Sequence, residues 1–361
     1  MKDNQANNEV RVVSLEMREV NIPQPKETPD KSKGFVTFGE GNAYPDFLFN
    51  CYSDCSHLQS IILGLTDYVC AAGMDNEKLG KREINKKGET FEELVKQVVA
   101  DYLIFGAFAI QIIRDKGGRI TELHWIDCRR VRLDEEGDVV YYRKDWTKYG
   151  REMKKYDRWQ RDSKFDNCIF YYKRPAARGV YGLPMWSSVV KDVTTAIEIS
   201  KFHLSAILNN FVASAVINFN NGVPTKDEQK MIERKINDKF SGSTNAARML
   251  VSFNNNKDQA VTIARVPEDN FDQKYQALSK STKENIFVAF RAQPQLFGTD
   301  PDRTGFNSQE YQESFKLFKK TVVAPIQSEI ETAFARIDPA FTFRLNEFTI
   351  DFEPNKTPTV V

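Results

Sequence analysis

The hydrophobic pattern of this 361-residue chain changes its period along the sequence, and that change restricts the class of fold it can adopt. Apolar residues recur at helical spacing over 54–73, and a capping box of Thr90 and Glu93 opens a second helical pattern. Five short runs rich in β-branched and aromatic residues follow within 108–173, separated by turn sequences such as DKGG and DEEGD. Helical spacing returns from Pro184 onward. The chain is therefore expected to be an α+β protein.

Three long helical patterns occupy the second half of the chain. The first covers residues 188–213 and the second 268–291, with a small β-α-β-β unit predicted between them at 214–267. The third begins after Asn307, which can cap it, and Pro325 is expected to kink or break it. No internal repeat relates these segments.

Shorter signals complete the predicted organisation. Thr225 and Glu228 form a second capping box at the start of the helix in the insertion. Residues 341–353 alternate between apolar and polar side chains, which predicts a closing strand or hairpin. Residues 1–35 are polar and carry three prolines, which is typical of a mobile arm. Within that arm the stretch EVRVVSLEM could add as an edge strand to a neighbour.

The charge balance limits what the chain can bind. Its 51 Lys and Arg nearly cancel its 50 Asp and Glu, for a net charge of +1. Proteins that hold nucleic acid tightly carry a basic excess, so any such contact is expected to be local or weak. No apolar run is long enough to span a membrane, the N-terminus lacks a signal-peptide core, and five scattered cysteines are typical of a reducing cytosol.

Candidate metal and catalytic sites lack essential groups. Cys51, Cys55 and His57 have no second close pair of ligands, so the cysteines are expected to be packed thiols. The run DPDRTG resembles the start of a calcium loop, but Tyr311 stands where the closing Glu is needed. His203 lies within a helical pattern, and no triad or glycine-rich nucleotide signature occurs. We therefore expect no enzyme activity, metal or cofactor.

Two polar segments remain to be explained. Residues 292–306, here called the long loop, use about fifteen residues where a connection between helices usually needs about two to eight, and long polar loops are often functional. The helix of the insertion carries five basic residues interleaved with acidic ones: Lys226, Lys230, Arg234, Lys235 and Lys239. These are either a solvated helix face with i,i+4 pairs or a surface that binds acidic groups.

From Val180 onward, the order of sequence features resembles the portal proteins of tailed bacteriophages, particularly the PBSX-like group. The resemblance rests on YGLPMWSSVV before a long helix, on FVASAVINF and SGSTNAARMLVSF, on NIFVAFRAQPQLFG, and on TGFNSQEY and APIQSEIETAF. A weaker likeness reaches back to SDCSHLQSIILGLTDYVCAAG, so that it covers roughly residues 47–352. Gln293 departs from the pattern, because many members carry a small apolar residue before the proline.

The resemblance implies a portal-type fold with named regions. An α/β wing would comprise residues 36–187 together with the helix and closing strands at 307–352. A stem of long helices would comprise 188–213 and 268–291, and the β-α-β-β insertion 214–267 would be the clip. The long loop, 292–306, would be the tunnel loop that projects into a central channel. The tail, 353–361, is too short for a large crown, which implies a minimal one.

The resemblance also implies a function and partners. Portal proteins form a homo-oligomeric ring, usually of twelve subunits, at one capsid vertex of the virion, and they are assembled in the host bacterial cytoplasm. DNA is packaged and ejected through the ring without sequence-specific contact. The ring docks a large terminase, contacts major capsid and scaffold proteins, and later binds a head-tail adaptor, which the basic residues of the clip would face. No membrane is involved.

The residues implied to line the channel lie in and beside the long loop: Arg291, Gln293, Gln295, Asp300, Asp302, Arg303, Thr304 and Asn307. Their mixed charges would give weak contact with a sliding duplex. Two alternatives remain open at this point. The chain could be a different virion or scaffold protein, which would not form rings with a hole, or a DNA-processing enzyme, which would show metal-dependent turnover of DNA.

Overall fold

The structure of the chain is a computed structural model that describes residues 22–30, 32–148, 152–160, 166–208, 216–219, 225, 227–228, 231, 250–253, 271–298 and 308–349. The α-helices in this part of the chain are α1 (Tyr44–Asp54), α2 (Ser56–Cys70), α3 (Glu77–Gly80), α4 (Phe91–Phe105), α5 (Val190–Leu208), α6 (Phe271–Ala289), α7 (Ser308–Phe318) and α8 (Ala324–Ile337). The strands are β1 (Glu27–Asp30), β2 (Phe35–Phe38), β3 (Ala107–Arg114), β4 (Ile120–Ile126), β5 (Val131–Leu133), β6 (Val139–Tyr142), β7 (Lys154–Arg158), β8 (Asn167–Lys173), β9 (Val216–Phe219) and β10 (Leu250–Phe253). Helices and strands are mixed along the chain, as predicted.

A six-stranded sheet, in the order β4-β3-β8-β7-β6-β5, forms the centre of the first half of the chain. Its pairs are antiparallel except for β7 and β8, which are parallel. The middle of β3 is buried on both sides, and Ile110 lies opposite Trp125 of β4 and Phe170 of β8. The five strands predicted within 108–173 are confirmed, whereas β7 was not predicted.

Helices α2 and α4 carry the largest part of the core. The apolar residues that predicted α2 are at most 1% exposed: Leu58, Ile61, Ile62, Leu65 and Val69. Full burial of each such side chain stabilises the fold by about 1.5–3 kcal/mol. The predicted capping box at α4 is present, because Glu93 Oε2 accepts the backbone N–H of Thr90 at 2.8 Å and Thr90 Oγ1 accepts the N–H of Glu93 at 3.3 Å.

The predicted mobile arm differs from the structure in its second part. Strand β1 pairs with β2 in an antiparallel hairpin. The Glu27 carboxylate also accepts the backbone N–H groups of Val180 and Tyr181 at 2.6 and 3.1 Å. Charge-assisted bonds of this kind are the strong ones in proteins, so residues 27–38 are fixed to the body of the fold. Residues 1–21, with the stretch EVRVVSLEM, lie outside the described residues.

The insertion between α5 and α6 is described in part. Strands β9 and β10 pair in parallel, with Val216 opposite Leu250. Parallel neighbours need a crossover connection, which agrees with a helix between them. Glu228 accepts hydrogen bonds from the N–H and the hydroxyl of Thr225 at 2.9 and 2.8 Å, which is the glutamate half of the second predicted capping box. The third predicted strand, near residues 260–266, lies outside the described residues.

The last long helical pattern is interrupted near Pro325, as the sequence predicts. A π-helical turn, Lys319–Val323, separates α7 from α8, and Pro325 lies in the first turn of α8. Proline there lacks the N–H that would continue the helix, and its ring displaces the preceding turn. The predicted break near Pro325 is confirmed.

The closing strand or hairpin predicted for residues 341–353 is wrong over the residues that the structure describes. Residues 342–349 form no strand, and only an isolated bridge links Met74 to Leu345. The alternation is real, since Phe343 and Leu345 are buried and Arg344 is exposed. Its backbone bonds to a side chain of α8 and to the turn after α2: Glu331 accepts the N–H of Leu345 at 2.8 Å, and the carbonyl oxygen of Arg344 accepts the N–H of Asp75 at 2.9 Å.

Candidate functional site at the base of the long loop

The structure describes the start of the long loop, where it leaves α6. Of the eight residues implied to line a channel, it includes Arg291, Gln293 and Gln295. Asp300, Asp302, Arg303, Thr304 and Asn307 lie outside the described residues, as do the five basic residues of the insertion, Lys226, Lys230, Arg234, Lys235 and Lys239. The site is therefore built from the base of the loop and the elements that hold it.

Helix α6 ends in a Schellman motif. The N–H of Ala292 donates to the carbonyl oxygen of Phe287 at 3.0 Å, and the N–H of Arg291 donates to that of Val288 at 2.9 Å. Phe287 and Ala292 are both buried, which supplies the apolar contact that accompanies this motif. The motif turns the chain sharply out of the helix.

Arg291 occupies the left-handed position of this motif, with φ 52°. Glycine is the usual residue there, because the left-handed conformation costs an L-residue roughly 1–2 kcal/mol. The Arg291 side chain is exposed, so burial of apolar surface does not repay that strain. A cation at the C-terminal end of a helix does interact favourably with the helix dipole. The geometry thus presents one positive charge at the root of the loop.

A 3₁₀ turn, Pro294–Phe297, follows and is clamped to α2. The hydroxyl of Tyr68 donates to the carbonyl oxygen of Leu296 at 2.7 Å. Burial raises the pKa of Tyr68 to about 12, so this hydroxyl remains a donor at neutral pH. The Tyr68 ring lies with centroids 5.4–5.8 Å from four phenylalanine rings: Phe297, Phe315, Phe318 and Phe348. The tyrosine joins the loop to α2, α7 and the C-terminal segment.

The two glutamines predicted as channel residues brace the base of the loop. Gln295 Nε2 donates to Gln293 Oε1 at 2.8 Å and to Ser314 Oγ at 3.1 Å, which ties the turn to α7. Both amides are half-buried. Their positions explain why polar side chains occur at this point of the sequence, and any contact with a passing ligand would involve only their exposed atoms.

Two glycines mark the inner and outer limits of the base. A Cβ atom at Gly64 of α2 would lie 2.8 Å from the Phe297 ring, so a larger residue would push α2 away from the turn. Gly298 ends the turn in the left-handed region, φ 72°, and a Cβ atom there would meet nothing within 4 Å among the described residues. Tyr68 and Gly64 were not predicted as site residues. Their signal was a glycine inside an apolar helix, four residues before an aromatic residue, which usually has a packing reason.

The first candidate metal ligands, Cys51, Cys55 and His57, lie among the described residues, whereas the run DPDRTG lies outside them. Within the described part of the chain, no three His, Cys, Asp or Glu residues are grouped to hold an ion. Cys51 and Cys55 are free and buried, and burial raises the pKa of both thiols, that of Cys51 to about 12. They are packed thiols, as predicted.

No helix among the described residues is long and apolar enough to cross a membrane.

Comparisons with known proteins give one family and one fold. A family model described as "Phage portal protein" matches residues 83–356. A chain of the virion of a native gene transfer agent (GTA) particle is 18% identical, with a TM-score of 0.52 over 81% of this chain and 79% of that chain. A chain of the native GTA neck, computed with C12 symmetry, is 15% identical, with a TM-score of 0.52 over 92% and 87%.

A chain of the empty GTA neck, computed with C6 symmetry, is 16% identical, with a TM-score of 0.53 over 94% of this chain and 88% of that chain. No curated protein matches the sequence. At such identities, the likeness to these solved structures shows a shared fold. The family match covers most of the chain, including the base of the long loop.

Proposed function

Because the chain belongs to the phage portal protein family, we propose that its copies form a ring at one vertex of a virion and that double-stranded DNA passes through the central channel. The family is structural, and the chain is not an enzyme. The observation that carries the proposal is the family match over residues 83–356. The fold shared with chains of a particle neck supports it, as does the C12 symmetry with which one of those necks was computed.

We assign the regions of the ring subunit as the resemblance to portal proteins implies. The wing comprises the six-stranded sheet with α1–α4, α7 and α8. The clip is the insertion that contains β9 and β10, the tunnel loop is the long loop, and the crown is minimal.

The stem consists of α5 and α6, which lie side by side. Each contains 19 residues and is therefore about 28 Å long. Asn285 of α6 donates to Asp192 of α5 at 2.8 Å, and the rings of Phe202 and Tyr275 stack with centroids 5.1 Å apart. The pair leads directly from the wing to the insertion, so that a ring of such pairs would surround the channel.

The tunnel loop leaves the stem at Arg291 and would reach into the channel. The clamp on Leu296 by Tyr68 fixes its root. Arg291 would contribute a fixed positive charge close to the DNA backbone, with Asp300, Asp302 and Arg303 further along the loop. With a net charge of +1, the chain would not hold DNA by release of many counterions, so a duplex could slide.

Negative-stain microscopy of the purified protein, with native mass to count subunits, tests the ring. We expect rings with a hole of about 20 Å or more, wide enough for a duplex whose major groove alone is about 12 Å wide. Twelve subunits are expected. A chain that stays monomeric with capsid and scaffold partners present would overturn the proposal, and metal-dependent turnover of DNA would revive the alternative of an enzyme.

Charge reversal at the loop root tests the channel role separately. Assembled particles that carry Arg291→Glu are expected to retain less packaged DNA than wild-type particles, because the substitution places a negative charge beside the phosphates. Arg82→Glu is the control, since Arg82 is exposed on the wing, far in sequence from the loop. Equal DNA retention in both variants, with rings intact, would remove Arg291 from the channel.

The partners of the ring follow from the same proposal. The large terminase would dock during packaging, capsid and scaffold proteins would surround the wing, and a head-tail adaptor would bind the clip after packaging. The five basic clip residues are expected to face acidic groups of that adaptor. Reversal of Lys230 and Arg234 to Glu should then weaken adaptor binding and leave the ring intact; unchanged binding would identify this helix face as merely solvated.

A further inference from the structure

An apolar groove of about 570 Å³ is lined by side chains of α5 and α6. Its floor is made by Ile199, Phe202, Tyr275 and Leu278, and threonine and charged side chains of α5 form its rim. Phe202 and Leu278 are 44% and 47% exposed, high values for large apolar side chains. Exposed apolar patches of this kind mark binding sites for other protein segments.

The first described residue of the chain lies in this groove. Ile22 lines it together with Phe202 and Leu278, and packs against the main core. The residue after it is Pro23, which restricts the backbone of Ile22 to an extended conformation. Five residues further on, Glu27 is fixed by its hydrogen bonds to residues 180 and 181. The chain is therefore held at the groove, and the 21 residues that precede Ile22 start from it.

Those preceding residues contain an apolar segment of suitable pattern and length. In EVRVVSLEM, Val13, Leu15 and Met17 alternate with polar Ser14 and Glu16, so an extended strand would present all three apolar side chains on one face. Residues 13–17 would span about 13 Å when extended. The stretch of α5 that lines the groove, Lys191 to Phe202, rises about 16 Å. The five steps from Ile22 back to Met17 reach at most about 17 Å, which brings the segment onto the groove.

We propose that residues 10–17 bind in the α5–α6 groove of their own subunit, as an extended strap with Val13, Leu15 and Met17 facing Phe202 and Leu278. Tethering at Ile22 makes the binding intramolecular, and the resulting effective concentration favours the segment of the same subunit over any other. The strap would cover the exposed apolar surface of the groove. The inference does not depend on DNA passage.

Disulfide trapping in the full-length protein tests the strap. Val13, Leu15 and Met17 are each replaced by Cys in combination with Leu278→Cys, and the protein is oxidised at low concentration. At least one pair is expected to form an intramolecular disulfide, seen as a shifted monomer band without reductant, because such a bond requires Cα atoms about 4.4–6.8 Å apart. The five natural cysteines are all buried and leave a low background.

Ser14→Cys and Glu16→Cys with Leu278→Cys are the matched controls, because they lie on the opposite face of the strap. Equal trapping of all five positions, or none at 13, 15 and 17, would overturn the proposal. A disulfide found only between two chains would also overturn it, since the occupant would then come from a second copy. Such outcomes can be read in rings and monomers alike, so they are distinct from failure of the portal function.

A second measurement does not depend on disulfide geometry. Leu278→Asp should accelerate trypsin cleavage after Arg11 and Arg18 several-fold, because a carboxylate in the groove floor would release the strap. Leu63→Asp is the control, since Leu63 is an equally exposed leucine, at 51%, on α2 and outside the groove lining. Cleavage at the same rate in both variants and in the wild-type chain would contradict the strap.

Discussion

Helices α4 and α6 are both followed by a residue in the left-handed conformation. At α4 this residue is glycine, which has no side chain, and at α6 it is arginine, which has a long charged one. Gly106 ends α4 with φ 70°, and Arg291 follows α6 with φ 52°. A Cβ atom at Gly106 would lie 2.1 Å from the carbonyl oxygen of Leu183, inside the packed wing. Arg291 projects from an exposed position at the root of the long loop.

The two positions differ in what requires the residue that occupies them. At the end of α4, glycine is required twice, by the backbone angle and by the close approach of Leu183. At the end of α6 only the angle matters, and an arginine bears its strain of roughly 1–2 kcal/mol without burial to offset it. Strain at an exposed position is usually retained for function. We therefore interpret Gly106 as a packing residue and Arg291 as a charge placed where DNA would pass.

Gly106→Ala should have the largest effect on stability. The methyl group would overlap a backbone carbonyl that cannot move independently of residues 182–184, and the left-handed angle adds strain. We expect a loss of about 3 kcal/mol or more in the free energy of unfolding, measured by urea denaturation.

The matched control is Gly118→Ala. Gly118 has φ 80°, but a Cβ atom there would meet nothing within 4 Å among the described residues, so only the angle contributes and the loss should be about 1 kcal/mol. If both alanines cost the same, close packing would not distinguish the two helix ends, and the comparison above would lose its basis.

Tyr68→Phe should have the next largest effect, at the exposed end. The substitution keeps the ring among its four phenylalanine neighbours but removes the hydroxyl that donates to the carbonyl oxygen of Leu296. Loss of a hydrogen bond to a buried backbone acceptor costs about 2 kcal/mol. Thermal or urea unfolding measures it, and Tyr52→Phe serves as the control because that hydroxyl makes no hydrogen bond to the described residues. A loss no greater than in the control would show that the loop root is not clamped.

Local signals in the sequence were sufficient for much of the fold. Helix α4 was predictable because its capping box and its apolar face both lie in one short stretch of the sequence. Strands β3 and β8 were predictable for a similar reason, since they are runs of β-branched and aromatic residues between turns. The break before α8 followed from Pro325, whose effect on a helix is local as well.

Elements that depend on distant partners were missed. Strand β7, KKYDR, carries four charged residues and is a strand because β6 and β8 pair with it on either side. Residues 342–349 have a strand-like pattern but no strand beside them; their backbone bonds to Glu331 and Gln327 of α8 and to the backbone of residues 73–75. Pairing, which the pattern cannot show, decided both cases.

The candidate site was predictable only as a position in the chain. The length and polarity of the loop indicated a functional segment. The left-handed φ of Arg291 could not be predicted, because arginine is not a residue type that indicates this conformation. Tyr68 lies 228 residues before the carbonyl group that it binds, so the clamp could not be inferred without the fold. The roles proposed for the loop and clip residues remain predictions.

Asp101 in α4 gives a smaller test, which is the effect of a buried ionisable side chain on stability near the end of this helix. It is 5% exposed, and its Oδ2 accepts the indole N–H of Trp125 at 2.9 Å. Burial, and secondarily the neighbouring Asp127, raises the pKa of Asp101 well above its ordinary 3.8. The folded state therefore keeps a proton that the unfolded state loses, so the contribution to stability is present below about pH 4 and is lost as the pH rises towards the folded pKa.

Asp101→Asn should remove the loss of stability that accompanies a rise in pH. The amide keeps an acceptor for Trp125 and cannot ionise, so the variant should be close to wild type at pH 3.5 and more stable by about 1 kcal/mol at pH 5. Urea unfolding across this range measures the difference. A variant that is less stable than wild type at every pH would show that α4 accommodates the Asp101 carboxylate as a buried charge.

Arg291→Gly should give the smallest change in stability and the most informative one. Glycine relieves the strain at φ 52°, but it loses the favourable interaction of the cation with the helix end and adds entropy to the unfolded chain, which leaves a net gain of about 0.5 kcal/mol. The same variant should retain packaged DNA less well, because the charge at the loop root is gone. Arg291→Lys keeps both strain and charge and should match wild type in both measurements. If glycine improves stability and leaves DNA retention unchanged, the arginine is incidental, and the contrast with Gly106 reduces to the space around Leu183.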